Sequence, residues 1–252
     1  MRIERTPIID HGLKFNKKSA ELYRRASKLM VNVAEQCFKI KLPQAISDCW
    51  GDTLELMYYA DHVLDHIKDK DNRTEFAHHC IECMFADPLD WSYLDFGLPD
   101  MDQVLNQFRK NFISLQGINE NVSDITLELF KKTEDLKKSL TIEEIADSRI
   151  IESETCAKLL LGIGNDLVDL TSKDEYIEWL NRFWRFGNLA DLFIDFGDDV
   201  TDGLIQTPNT IQNRFKLGKI AIRELFKLLK LSNPWLVAKY VNACRSLIED
   251  KQ

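Results

Sequence analysis

Apolar residues recur at helical spacing almost from end to end of this chain, and that periodicity limits its folds more than anything else. No stretch alternates convincingly as a strand. The 10 glycines and 6 prolines gather in connections rather than inside the periodic runs. Helices are predicted over about 16–38, from Leu42-Pro43 to about 68, over 73–86, 101–115 and 123–137, from Thr141 to about 170 with or without a break near Ser148, and over 173–201, 216–230 and 233–250. Residues 69–72 read as a polar turn and 87–102 as a loop. Pro43 suits a first helical turn. Thr141-Ile142-Glu143-Glu144 has the form of a capping box. Gly203 followed by Pro208 marks a helix end. The expectation is an all-α fold: one helical domain over 1–252, a bundle with a central cavity.

Two of these helices carry aspartates at steps of four. Asp61 and Asp65 lie in YYADHVLDHIKD, and Asp191, Asp195 and Asp199 in NLADLFIDFGDDVTDG. Residues four apart share a helix face, so each set stacks carboxylates, which repel by a few tenths of a kcal/mol per pair. One such pair is common on exposed acidic helix faces. The second ladder is more pointed, because no Lys or Arg lies between Arg185 and Arg214, whereas a surface stripe would ordinarily mix both signs. Hard carboxylate oxygens suit Mg²⁺, which keeps several waters and binds through one or two carboxylates plus phosphate.

Composition excludes some classes. A net charge of −8 argues against a nucleic-acid binder, which needs a basic face. No apolar run approaches the ~20 residues of a membrane span, and MRIERTPIIDHGLKF lacks the apolar core of a signal peptide. The reading is cytoplasmic, with peripheral membrane contact and oligomeric state left open. The six scattered cysteines then read as thiols. His78-His79-Cys80-Ile81-Glu82-Cys83 has zinc-ligand types, but no second cluster follows at a matching distance and the segment reads as helix.

In order and spacing, these motifs resemble the squalene/phytoene synthase family, the trans head-to-head branch of the class I isoprenoid synthase fold. Leu42-Pro43 and a helix reaching Asp61-x-x-x-Asp65 are similar to the family's first aspartate motif. Asn188, Asp191-x-x-x-Asp195-x-x-x-Asp199 and Gly203…Pro208 are similar to its second. Residues 155–164 align loosely with its glycine-bearing helix. The resemblance covers roughly 15–210. The chain departs from the family at Tyr58 and Tyr59, where an arginine is usual, and at Leu204 and Gln206, where an arginine and a tyrosine are usual. Thr155 and Leu161 replace a tyrosine and a glycine. These departures tilt the reading away from head-to-head coupling of two substrates.

The resemblance implies a prenyl diphosphate substrate, ionised with Mg²⁺ held by Asp61, Asp65, Asp191, Asp195 and Asp199. It implies diphosphate contacts from Arg25, Ser27 and Lys28, which lie where the family has a basic, serine-bearing flap, and from Asn188. Lys158, inside an apolar run, is expected either to snorkel to solvent or to find an anion. A carbocation needs a dry aromatic wall; Tyr58, Tyr59, Trp184, Phe193 and Phe196 are the candidates, with core packing the commoner role for each. His62 and His66 could remove a proton from such a cation. The expected activity is prenyl transfer to an acceptor. Its alternatives are a terpene synthase acting on one substrate and a non-catalytic helical protein that retains the fold.

Overall fold

The computed structural model describes residues 13–85, 96–115, 121–136, 139–163, 173–201, 203–231, 234–235 and 237–238. Among these the chain is all-α, with eight helices and no strand: α1 (Lys17–Phe38), α2 (Gln44–His66), α3 (Lys70–Phe85), α4 (Pro99–Ser114), α5 (Asn121–Leu136), α6 (Ile142–Gly162), α7 (Asp174–Thr201) and α8 (Ile211–Leu231). None of them is long and apolar enough to cross a membrane.

Helix ends follow local chemistry. The Asp69 carboxylate accepts from the Asn72 amide at 2.9 Å, so the acidic turn ahead of α3 is its cap, and the helix starts at Lys70. Arg73 reaches back from α3 to donate to the carbonyls of Ile67 and Lys68 at the end of α2. Pro99 opens α4 inside the predicted loop, where Asp102 accepts from the amides of Phe96 and Leu98. The capping box of α6 is complete: Thr141 Oγ1 accepts from the Glu144 amide, and Glu144 accepts from the Thr141 amide. α6 continues unbroken through Ser148 and ends at Gly162. Gly203, at φ 76°, turns the chain after α7, and the amides of Leu204 and Ile205 close on the Asp199 carbonyl. α8 begins five residues earlier than the spacing suggests. The predicted helix over 233–250 lies largely outside the described residues, as does the stretch from 164 to 170.

The chain divides into two compact units, Met1–Val31 with Pro43–Ile118 and Asn242–Gln252, and Asn32–Leu42 with Asn119–Val241. In the first, α2 packs on α3 and α4. Trp50, Phe76, Met101 and Phe108 are buried there, and Phe85 meets Phe108 and Phe112 edge-on. In the second, α5 packs on α6, α6 on α7, and α8 on both α6 and α7. Ile145, Leu189, Leu192, Phe196, Leu217 and Ala221 share its core. The end of α1 belongs to this unit, where Phe38 lies against the buried ring of Tyr176 at 5.6 Å.

Candidate functional site

Asp61 and Asp65 are exposed on the last two turns of α2, in the first unit. Beside them runs a stack of rings. Tyr58 lies nearly parallel to His62, with centroids 6.1 Å apart, and His62 meets His66 edge-on at 4.7 Å. Both imidazoles face backbone carbonyls. His62 Nε2 is 3.2 Å from the Lys14 oxygen and His66 Nδ1 is 2.7 Å from the His62 oxygen. A carbonyl only accepts, so each of these nitrogens carries its proton. Tyr58 accepts from the Asn16 amide at 2.9 Å. Tyr59 is buried edge-on to Phe15, and burial, then nearby Glu55, Asp100 and Tyr58, push its phenol up to about 12. The tyrosines therefore fasten the residues ahead of α1 to α2.

The basic run in α1 separates into different roles. Arg25 is exposed and pairs with Glu21 one turn back. Ser27 is buried and donates to the Arg24 carbonyl. Lys28 is exposed. The most engaged cation is one the sequence reading passed over. Arg24 donates to the carboxylates of Asp52, which is fully buried, and Glu55, while Asn111 Nδ2 donates to the other oxygen of Asp52 at 2.6 Å. Burial raises the Asp52 carboxyl above its ordinary value despite the lowering by Arg24 and Asn111. The available signal was Asp52-x-x-Glu55 inside an apolar helix, a pair of acids that requires a cation.

The second ladder lies on α7, in the second unit. Asp191 is exposed, while Asp195, Asp199 and Asn188 are half-buried, all on one side of the helix. α7 has acids in its first turn, Asp174 and Glu175, where the helix dipole favours them, and no base in its last turn. The ladder therefore adds negative charge toward the end of the helix that already carries negative partial charge. Of the aromatic candidates on α7, Phe196 is fully buried in the core and Phe193 is partly exposed. Trp184 is buried one turn before Asn188, and its Nε1 has no hydrogen-bond partner among the described residues.

Lys158 reaches solvent from α6, the first of the two outcomes expected for it. One turn before it, Glu154 pairs with Arg185 of α7. Thr155 is buried and donates to the Ile151 carbonyl, and Gly162 abuts Val122; Gly164 lies outside the described residues. In the His78–Cys83 run, His79 nitrogens lie 3.7 and 3.9 Å from Cys83 Sγ. Cys80 is buried, which pushes its thiol up to about 12. None of the five described cysteines forms a disulfide. Among the described residues no three His, Cys, Asp or Glu side chains gather as a metal site.

Comparison of the chain with protein-family models, with curated proteins and with solved structures finds no match in any of the three.

Proposed function

We propose that this chain is a divergent Mg²⁺-dependent class I isoprenoid enzyme that ionises an allylic prenyl diphosphate and passes the prenyl group to an acceptor. The observation that carries the reading is α7. Asp191, Asp195 and Asp199 descend one face of a 28-residue helix, open to solvent to differing degrees, with no Lys or Arg between Arg185 and Arg214. The motif resemblance to the squalene/phytoene synthase family supports it independently of exposure.

The donor set fits Mg²⁺ chemically. Hard carboxylate oxygens suit an ion that completes its shell with waters and substrate phosphate. The α7 aspartates Asp191, Asp195 and Asp199 would hold Mg²⁺ in the second unit, and Asp61 with Asp65 would separately hold an ion on α2. When bound, it would neutralise charge developing on the departing diphosphate. The protein's own part is electrostatic and positional. The Asn188 amide can donate to a phosphate oxygen from the same face as the ladder, and Lys158 and Lys28 are solvent-reachable cations. The departures at Leu204 and Gln206 keep single-substrate elimination or cyclisation as the nearest variant of this reaction.

A specific observation favours a second reading, a non-catalytic helical protein. Asp61 and Asp65 are exposed, so they carry no desolvation cost that only a metal could relieve. One experiment separates the readings. The protein is incubated with Mg²⁺ and geranyl, farnesyl or geranylgeranyl diphosphate, with and without candidate acceptors, and products are identified by mass spectrometry. A larger conjugate supports the transferase and a hydrocarbon the cyclase. No product, with no Mg²⁺- and diphosphate-dependent rise in melting temperature, sinks both in favour of the non-catalytic protein.

A further inference from the structure

α8 buries one side and leaves a second apolar side uncovered. Leu217, Ala221 and Leu228 face the core of the second unit. Ile211, Phe215, Ile222 and Phe226 point the other way and are 90%, 73%, 55% and 62% exposed. Their spacing of 4, 7 and 4 places them within about 60° of one another round the helix. Gly218 falls in the gap, and there the partly exposed ring of Phe193 from α7 fills the surface: a Cβ added to Gly218 would lie 3.1 Å from it. Trp235, beyond the helix, is 62% exposed. Large aromatic and branched side chains in one continuous line differ from scattered surface apolar residues, which need no explanation.

Charge on α8 is equally one-sided. The helix carries Arg214, Lys216, Lys219, Arg223, Lys227 and Lys230, in a chain whose net charge is −8. Its one acid, Glu224, is buried and paired with Arg182 and Lys227, and it also lies 3.8 Å from Arg223. Lys216 pairs with Glu143. Lys219, Arg223 and Lys230 are exposed, and they stand at successive four-residue steps from Phe215 and Phe226. They therefore form a basic edge along the apolar stripe, and no exposed acid of α8 interrupts it.

We propose that this face of α8 docks on an anionic lipid bilayer, with Phe215, Ile222 and Phe226 entering the boundary between headgroups and acyl chains and Lys219, Arg223 and Lys230 meeting lipid phosphates. Charge complementarity selects this occupant. An acidic protein is repelled by an anionic surface unless it approaches through a locally positive face, and α8 supplies one that is also apolar. An apolar stripe edged by Lys and Arg on a surface helix is the pattern of an interfacial helix. The inference does not rest on the prenyl diphosphate reading, since none of these residues belongs to either aspartate ladder.

The test is co-sedimentation of the full chain with vesicles of phosphatidylcholine alone and of phosphatidylcholine with about 30 mol % phosphatidylserine, at low and high salt. Binding to the anionic vesicles alone, weakened by salt, is expected. Phe215→Ser with Phe226→Ser should lower it by about tenfold or more, and Lys219→Glu with Lys230→Glu should remove the preference for anionic lipid. Because these side chains are exposed, the variants' melting curves should match the wild type. Absence of binding, equal binding to neutral vesicles, or unchanged binding by the folded variants overturns the proposal. So does a stable dimer in light scattering that the Phe variants dissociate, which would assign the face to a second copy.

Discussion

Arg182 of α7 donates from Nη1 to the Glu224 carboxylate of α8 at 2.9 Å, and Glu224 is almost wholly removed from solvent. Lys227 donates to its other oxygen at 2.7 Å, and Arg182 also holds Glu178. The carboxylate thus ties the two most extensively packed helices of the second unit. Removing Glu224 leaves the half-buried Arg182 with Glu178 as its remaining partner, so the loss falls at the lower end of the range for a broken buried pair. Glu224→Ala should cost about 3 kcal/mol, whereas Arg182→Leu with Glu224→Leu should recover much of the loss. Urea midpoints of the three proteins check this.

Two of the buried carboxylates, Glu224 and Asp52, should respond to pH with opposite sign. Burial alone would raise Glu224, but hydrogen bonds from Lys227 and Arg182 outweigh it and hold the group below its ordinary value. Its contribution is complete above that value and lost as pH falls through the lower folded one. Asp52 is raised by burial, so the folded protein holds that proton more tightly than the unfolded chain. Its contribution is largest in acid and shrinks as pH rises through the raised value. Across about pH 3 to 7, the stability difference between wild type and Glu224→Gln should grow, and that between wild type and Asp52→Asn should move the other way. Parallel slopes in the two melting series would contradict this.

Gly51 lets α1 approach α2 closely. A Cβ there would lie 3.2 Å from Ser27 Oγ and 3.3 Å from Arg24 Nη1, and both side chains are already held by hydrogen bonds. Gly51→Ala gains up to about 1 kcal/mol of helix propensity against that crowding, and so should be close to neutral. Gly51→Val adds two methyl groups to an occupied space and should destabilise by about 2 kcal/mol. Comparing the two denaturation curves separates propensity from packing.

If the aspartates hold metal and diphosphate, Asp195→Ala should lower turnover at least about a hundredfold, since it removes electrostatic stabilisation from the reacting group. Asp61→Ala should do likewise while leaving the fold intact, because Asp61 is exposed. The readout is product formation from the competent substrate, with far-ultraviolet circular dichroism as control. Unchanged turnover in Asp61→Ala would confine the chemistry to α7.

Much of this architecture was legible because helix signals are local. The capping box at Thr141, the glycine at 203 and the proline at 43 each act within a few residues, and the helices beside them lie where the sequence places them. Whether α6 breaks near Ser148 depended on packing: Ile145, Ala146, Glu152 and Ser153 are all buried, and the helix runs through it. What stayed hidden was long-range partnership. Arg24 and Arg25 are adjacent basic residues of one helix. Only their rotation about the axis sends one to Asp52 and the other to Glu21 in solvent. Nothing local distinguishes Phe196, locked in the core, from Phe193, three residues earlier on the surface. For the ladders, spacing gave the shared face, while their unequal exposure depended on the helices packed around them.

That the end of α1 belongs to the second unit bears on how the chain is made. The segment Asn32–Leu42 is synthesised before the whole of Pro43–Ile118, yet its partners begin at Asn119. At roughly 5–20 residues per second, Phe38 waits many seconds after leaving the ribosome before Tyr176 exists to receive it. A fragment starting at Asn119 would lack that segment permanently. Neither half of this gene product should therefore be expected to mature alone.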